Sequence, residues 1–192
     1  MAIVALRVPE RSWWKKTVLV VVTAMGCAGL FAQVYRETEV KAAFLFQFTR
    51  YVEYPASAFE SDRAPFVMGV LGKSAIIDAL KGAVRGKNVE GRPIVVRQMS
   101  LGAELRRCHI LFVPESQSHH LPEVLKTLAD APVLTVGESA GFASQGGIIG
   151  FFTEQNRLRF EINLEAARRA HLTISSKLLS LARIVKGGAG GS

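Results

Sequence analysis

From about residue 38 to residue 185 the chain alternates between two apolar rhythms: short runs of consecutive or alternating apolar residues, and longer segments where they recur every three or four positions. In ETEVKAAFLFQFTRYVEYP, Val40, Ala43, Phe44, Phe48, Tyr51 and Val52 keep near-helical spacing and Pro55 stops the run, which predicts a helix with one broad apolar face. PFVMGVLG then predicts a strand, and KSAIIDALKGAV a helix packed through Ile76, Ile77, Leu80 and Val84. RPIVVRQM and CHILFVPE are two further short strands, joined through GAELRR, which is long enough for one helical turn. His119 to Ala129 reads as a helix that tolerates Pro122 in its first turn, and PVLTVGE as the next strand. After the Gly-rich turn GFASQGG, IIGFFTEQ and RLRFEINL flank a QN turn and predict a β-hairpin.

Alternation of this kind followed by a hairpin predicts an α/β domain, a three-layer sandwich with a mostly parallel sheet and a C-terminal β-hairpin. In RLRFEINL the period of two sends Leu158, Phe160, Ile162 and Leu164 to the core and Arg157, Arg159, Glu161 and Asn163 to the other face. That second face reads most simply as solvated, its charges pairing for little net energy. Asn163 is placed to cap a helix starting at Leu164, with Glu165 in the first turn. Ser175 is placed to cap a closing helix whose stripe is Leu178, Leu181, Ala182 and Val185. The apolar residues around the hairpin, Phe142, Phe151 and Phe152 among them, are candidates for exposure to a partner.

The N-terminus changes where this domain is expected to work. Arg7, Arg11, Lys15 and Lys16 precede the apolar run TVLVVVTAMGCAGLFAQ, whose length suits a signal peptide and is short for a membrane span. Residues 1–32 are therefore read as a signal peptide cleaved after Ala32, 33–186 as the α/β domain and 187–192 as a flexible tail. Leu30 is large for its place in such a cleavage site, which leaves a retained N-terminal anchor as the alternative. AMG before Cys27 lacks the leucine that a lipoprotein site favours. Cleavage removes four of the 24 basic residues and one of the 16 acidic ones, leaving a net charge of +5, scattered along the chain, which argues against nucleic acid as a partner. Only Cys108 then survives, within an apolar strand, so no intramolecular disulfide is possible and an inert buried thiol is expected.

Candidate chemistry is sparse. GVLGKS, residues 69–74, ends like a phosphate loop, yet two residues separate its glycines where four are needed to wrap phosphates in backbone N–H groups, and no acidic residue ends CHILFV to hold magnesium. An anion resting near Lys73 and Ser74 at the helix start is all that motif supports. His109, His119, His120 and His171 match no zinc spacing and read as surface residues. No GxSxG elbow is present, and Ser175 and Ser176 sit where a helix begins.

Taken in order, VKAAFLFQFTRYVEYP, FVMGVLGK, the GR of EGRPIVV, CHILFV, VLTVGESAGFASQGGIIGFF and RFEINLEAARRAHLTISSKLLSLARIV resemble the YfiR family of periplasmic regulatory proteins across the whole mature region. The resemblance implies a Rossmann-like fold, no enzyme activity and no cofactor. It implies a periplasmic protein that represses a membrane-bound diguanylate cyclase by binding its sensor domain, so lowering cyclic-di-GMP output. It also implies homodimer formation and a possible outer-membrane lipoprotein partner that sequesters the regulator. Family members also occur with histidine kinases and outer-membrane receptors, which makes a small-ligand-binding module the alternative. Disulfide control is not carried over, because one mature cysteine remains. The partner or ligand surface implied by the resemblance lies around Glu53, Tyr54, Thr173, Ser175 and Ser176, with Arg159, Asn163 and Arg183 as further polar candidates.

Overall fold

The computed structural model describes residues 37–187; the expected signal peptide and all but the first residue of the expected tail lie outside them. The chain divides after Glu37, and the second unit, Thr38–Ser192, carries the sheet. Its elements follow helix α1 (37–48). They are β1 (Val52–Glu53), β2 (Phe66–Leu71), α2 (Ile76–Val84), β3 (Asn88–Val89), β4 (Arg92–Met99), β5 (Ile110–Val113), α3 (Leu121–Thr127), β6 (Leu134–Gly137) and β7 (Ile149–Glu154). β8 (Arg157–Asn163), α4 (Leu164–Arg169), β9 (Thr173–Ile174), α5 (Ser176–Leu179) and β10 (Arg183–Val185) complete the order.

Eight strands form the main sheet in the order β10-β8-β7-β6-β5-β2-β4-β3. All pairs are parallel except β3 with β4 and β7 with β8. From β4 to β7 this is a doubly wound order, in which the chain starts in the middle, steps outward once and then returns past its starting strand. The expected three-layer α/β architecture is thus present, and so is the hairpin. Gln155 and Asn156 both take positive φ, 49° and 61°, which is the twist a two-residue connection needs between right-twisted strands.

The parity of β2 separates two cores. Phe66, Met68 and Val70 join Leu45 and Phe48 of α1, Leu80 of α2, and Phe151, Phe160 and Ile162 of the hairpin. Val67 and Leu71 face the opposite way, onto Leu121 and Val124 of α3 with Leu105 and Phe142. Burial of this much aliphatic and aromatic surface is the main stabilising term. Within the first core Phe44 and Phe48 meet Phe151 and Phe160 at centroid distances of 5.3–6.1 Å.

Several local expectations change. The first helix ends at residue 48 rather than at Pro55, because Val52 and Glu53 pair antiparallel with Ile174 and Thr173 in a small ribbon. Its buried stripe is Ala42, Leu45 and Phe48, whereas Val40 is exposed. The chain closes on a strand and not on a long helix: after four residues α5 stops, and the β-branched Ile184 and Val185 run parallel to β8, where the backbone gains ladder partners. Leu181 is accordingly outside any apolar stripe, 66% exposed. Phe142 and Phe151 are buried rather than offered to a partner. His109, expected at the surface, is 5% exposed.

Candidate functional site

The eight residues singled out from the sequence fall into three places. Glu53 and Thr173 are cross-strand partners in the β1–β9 ribbon, both exposed, and the ribbon continues as the Ser175 N–H donates to the Tyr51 carbonyl at 2.9 Å. Ser175 then caps α5 by accepting from the Lys177 N–H at 3.3 Å, leaving Ser176 exposed beside it. The ribbon therefore does join the end of the first helical segment to the Thr173–Ser176 junction, two stretches more than a hundred residues apart.

Tyr54 and Asn163 point inward. The Tyr54 hydroxyl donates to the His109 carbonyl at 3.1 Å and its ring meets Phe59 and Phe66 edge-on. Burial, with the neighbouring Cys108 adding to it, holds its phenol well above the usual range. Asn163 is 0% exposed: its Oδ1 accepts from the Ala166 N–H at 3.0 Å, the capping role its position implied, and its Nδ2 donates to the Ala143 carbonyl at 2.8 Å.

Arg159 and Arg183 occupy the third place, the face of β7, β8 and β10 turned away from α1. Register puts Arg159 opposite Phe152 and Arg157 opposite Glu154, while Arg183 stands beside Glu161. The Arg183 guanidinium lies 4.3 Å above the Phe152 ring and donates to Glu154 at 2.6 Å. Near Gly150 and Asn163 this face is covered by the segment around Ala143, which approaches within 3.3 Å of where a Gly150 side chain would be. Beyond that cover, Phe152 stays half-buried and Arg157, Arg159 and Arg183 exposed; Arg159 has no hydrogen-bond or ion-pair partner among the described residues. One arginine thus lies over the Phe152 ring and a second stands opposite it in register.

The chemistry of reaction finds little to work with. Cys108 donates from Sγ to the Leu105 carbonyl at 3.1 Å and burial pushes its thiol up to about 12, so it carries no thiolate at neutral pH. Among the described residues no group of His, Cys, Asp and Glu side chains is arranged to hold a metal. The crevice where doubly wound sheets usually hold ligands lies outside the carboxyl ends of β2 and β5. There Gly72, at φ 68°, packs against the Gln117 side chain, and Glu138 spans from the Glu115 N–H at 3.0 Å to Lys41 at 2.6 Å.

The YfiR/HmsC-like family model matches residues 38–183. The chain belongs to the YfiR/HmsC-like family. Membership associates it with periplasmic regulation of diguanylate cyclase signalling. No helix among the described residues is long and apolar enough to cross a membrane.

Solved structures resemble the YfiR/HmsC-like fold more distantly. A conserved domain protein from Vibrio cholerae O1 biovar El Tor matches at 13% identity with a TM-score of 0.50, over 62% of this chain and 54% of its own. An ABC domain in complex with L-Trp from Streptococcus pneumonia matches at 12% identity and TM-score 0.48, over 62% and 55%. This chain spans little more than half the length of either, and the likeness to the Vibrio protein concerns the α/β fold alone.

Proposed function

We propose that the protein is a periplasmic regulator that binds the sensor domain of a membrane-bound diguanylate cyclase and lowers cyclic-di-GMP output. It acts by contact: binding one conformation of the sensor better than the other shifts the population toward the inactive state, and no bond is made or broken. The observation that carries the reading is the open part of the β7–β8–β10 face, where Phe152 sits half-buried under Arg183 and opposite Arg159. A central aromatic flanked by arginines is the composition of an interface hot spot. The ribbon residues Glu53, Thr173 and Ser176 offer a second, polar area of contact. An outer-membrane lipoprotein competing for either area would release the cyclase.

The test measures affinity for the isolated sensor domain of a cyclase encoded beside this chain, together with cyclic-di-GMP in cells. Phe152→Ala is expected to weaken binding about thirtyfold, the loss of about 2 kcal/mol that defines a hot spot, and to raise cyclic-di-GMP. Arg183→Glu, which reverses the charge beside Glu154, is expected to do the same. Unchanged affinity in both variants, with the fold intact, would remove the face from the reading.

A further inference from the structure

On the α3 side of the sheet, the same side as the face just described but toward the β4 end, a cavity of about 430 Å³ opens between β2, β4 and the 3-10 turn Ala103–Arg107. Its volume is within the range that small-molecule sites occupy. Arg97, Arg106, Arg107, His109, Phe59 and Glu60 all line it. Three guanidiniums against one carboxylate leave a local charge of +2, and no ion pair joins Glu60 to any of the three among the described residues.

The fold fixes one of these guanidiniums before anything binds. Arg106 Nη1 donates to the Thr127 and Ala129 carbonyls, at 2.9 and 3.2 Å, where α3 ends. That holds its guanidinium in place and leaves three of its five donors unused. Arg97 and Arg107 have no hydrogen-bond or ion-pair partner among the described residues. Arg97 reaches this side because it shares the parity of Met99 on β4, opposite Gly69, which has no side chain to cover it. One wall is a pile of flat groups: the Arg92 guanidinium lies 3.9 Å over Phe59, Phe59 stacks on His109 at 4.5 Å, and His109 on Phe66 at 4.8 Å. His109 is saturated, its Nδ1 accepting from the Val67 N–H at 3.0 Å and its Nε2 within 3.1 Å of the Ala58 carbonyl, so it serves as wall rather than ligand-binding donor.

From this arrangement we infer that the Arg97–Arg106–Arg107 cavity is a binding site for a small organic dianion, a compound whose doubly charged head is a phosphate or a pair of carboxylates. Fork-shaped guanidiniums grip such oxygens two at a time, and a charge of −2 matches the local +2. A zwitterion or a monocarboxylate would leave one guanidinium uncompensated. The bound dianion would tie β4 to the turn preceding β5 and to the end of α3, adding to the bonds that Arg106 and Glu104 already make there.

Titration calorimetry on the purified protein, with inorganic phosphate, glycerol phosphate and succinate as probes and acetate as the singly charged control, tests the site. Saturable binding of at least one dianion is expected, at least about tenfold tighter than acetate, and the preferred probe tells a phosphate head from a dicarboxylate. Arg107→Ala and Arg97→Gln, both at exposed positions, are each expected to weaken it about tenfold or more, while the charge-matched Arg85→Ala at the end of α2 leaves it unchanged. Thermal melts in the presence of the dianion should shift upward for the parent and not for Arg107→Ala. Absence of saturable binding by every dianion, equal binding of acetate, or equal loss in Arg85→Ala would overturn the site.

Discussion

At the scale of the residue, His109 decides more than its place in the sequence suggested. It stands one position before an apolar strand, and as a lone histidine with no partner spacing it reads as a surface residue; nothing local in the sequence announces that Phe59 and Phe66, 50 and 43 positions earlier, will sandwich its ring. Burial, reinforced by the positive charge of Arg92 beyond Phe59, lowers its pKa from the ordinary 6.5, against the opposing pull of its hydrogen bond to the Ala58 carbonyl. The folded protein therefore keeps the imidazole neutral in a pH range where the unfolded chain already binds a proton. Stability is complete above about 6.5 and is lost as pH falls below it toward the depressed folded value. Urea midpoints measured from about pH 7.5 down to about pH 5 should decline, with His109→Gln less stable overall but flatter across that interval. A parent midpoint that does not move would show that the proton is taken up without penalty. The arginines of the cavity and Glu60 line the same space as this ring.

Elements were legible where their period was long and unreadable where they were short. β2, β4, β5, β6 and the hairpin follow from apolar runs, and α2 and α4 from spacing and capping. β1 and β9, two residues each, carry no period at all and exist because distant backbone groups complete one another. β10 was hidden by its own composition: Leu178, Leu181, Ala182 and Val185 satisfy a helical spacing, and only the parallel ladder with β8 decides between the two readings. The sharpest local success is Asn163, which ends β8, starts α4 and also ties down the segment covering Gly150. Asn163→Ala removes a cap and strands the buried Ala143 carbonyl, for a loss of about 2 to 4 kcal/mol in denaturant unfolding. Asn163→Asp should not restore it, since a carboxylate keeps the cap but turns an acceptor toward that same carbonyl. Recovery of parental stability in the Asp variant would show that the Ala143 bond contributes nothing.

For the whole molecule, alternation of strand and helix was enough to specify three layers, whereas the two candidate surfaces needed coordinates. Arg159 and Arg183 were visible as polar outliers on their strands, but Phe152 between them was indistinguishable from the buried Phe151 beside it. Arg97, Arg106 and Arg107 looked like scattered charge, because their convergence depends on β4 lying next to β2. The outer edge of the sheet bears on assembly. Among the described residues β10 has a partner on one side only, and Ile184, 47% exposed, and Leu181 stand on or beside it. We propose that homodimers form by pairing this edge about a two-fold axis, which hides the open ladder and both side chains. Light scattering of Ile184→Lys should then report a monomer where the parent is a dimer, and a parent that stays monomeric at high concentration would rule the edge out. The pairing of Phe48 with Phe160 carries a consequence in time. Phe160 is added 112 residues after Phe48, so at about 5–20 residues per second a growing chain waits roughly 6 to 22 s before its first helix meets the hairpin half of its core. Throughout that interval the phenylalanines of the first helix lack their hairpin partners and are available to any chaperone that holds chains open.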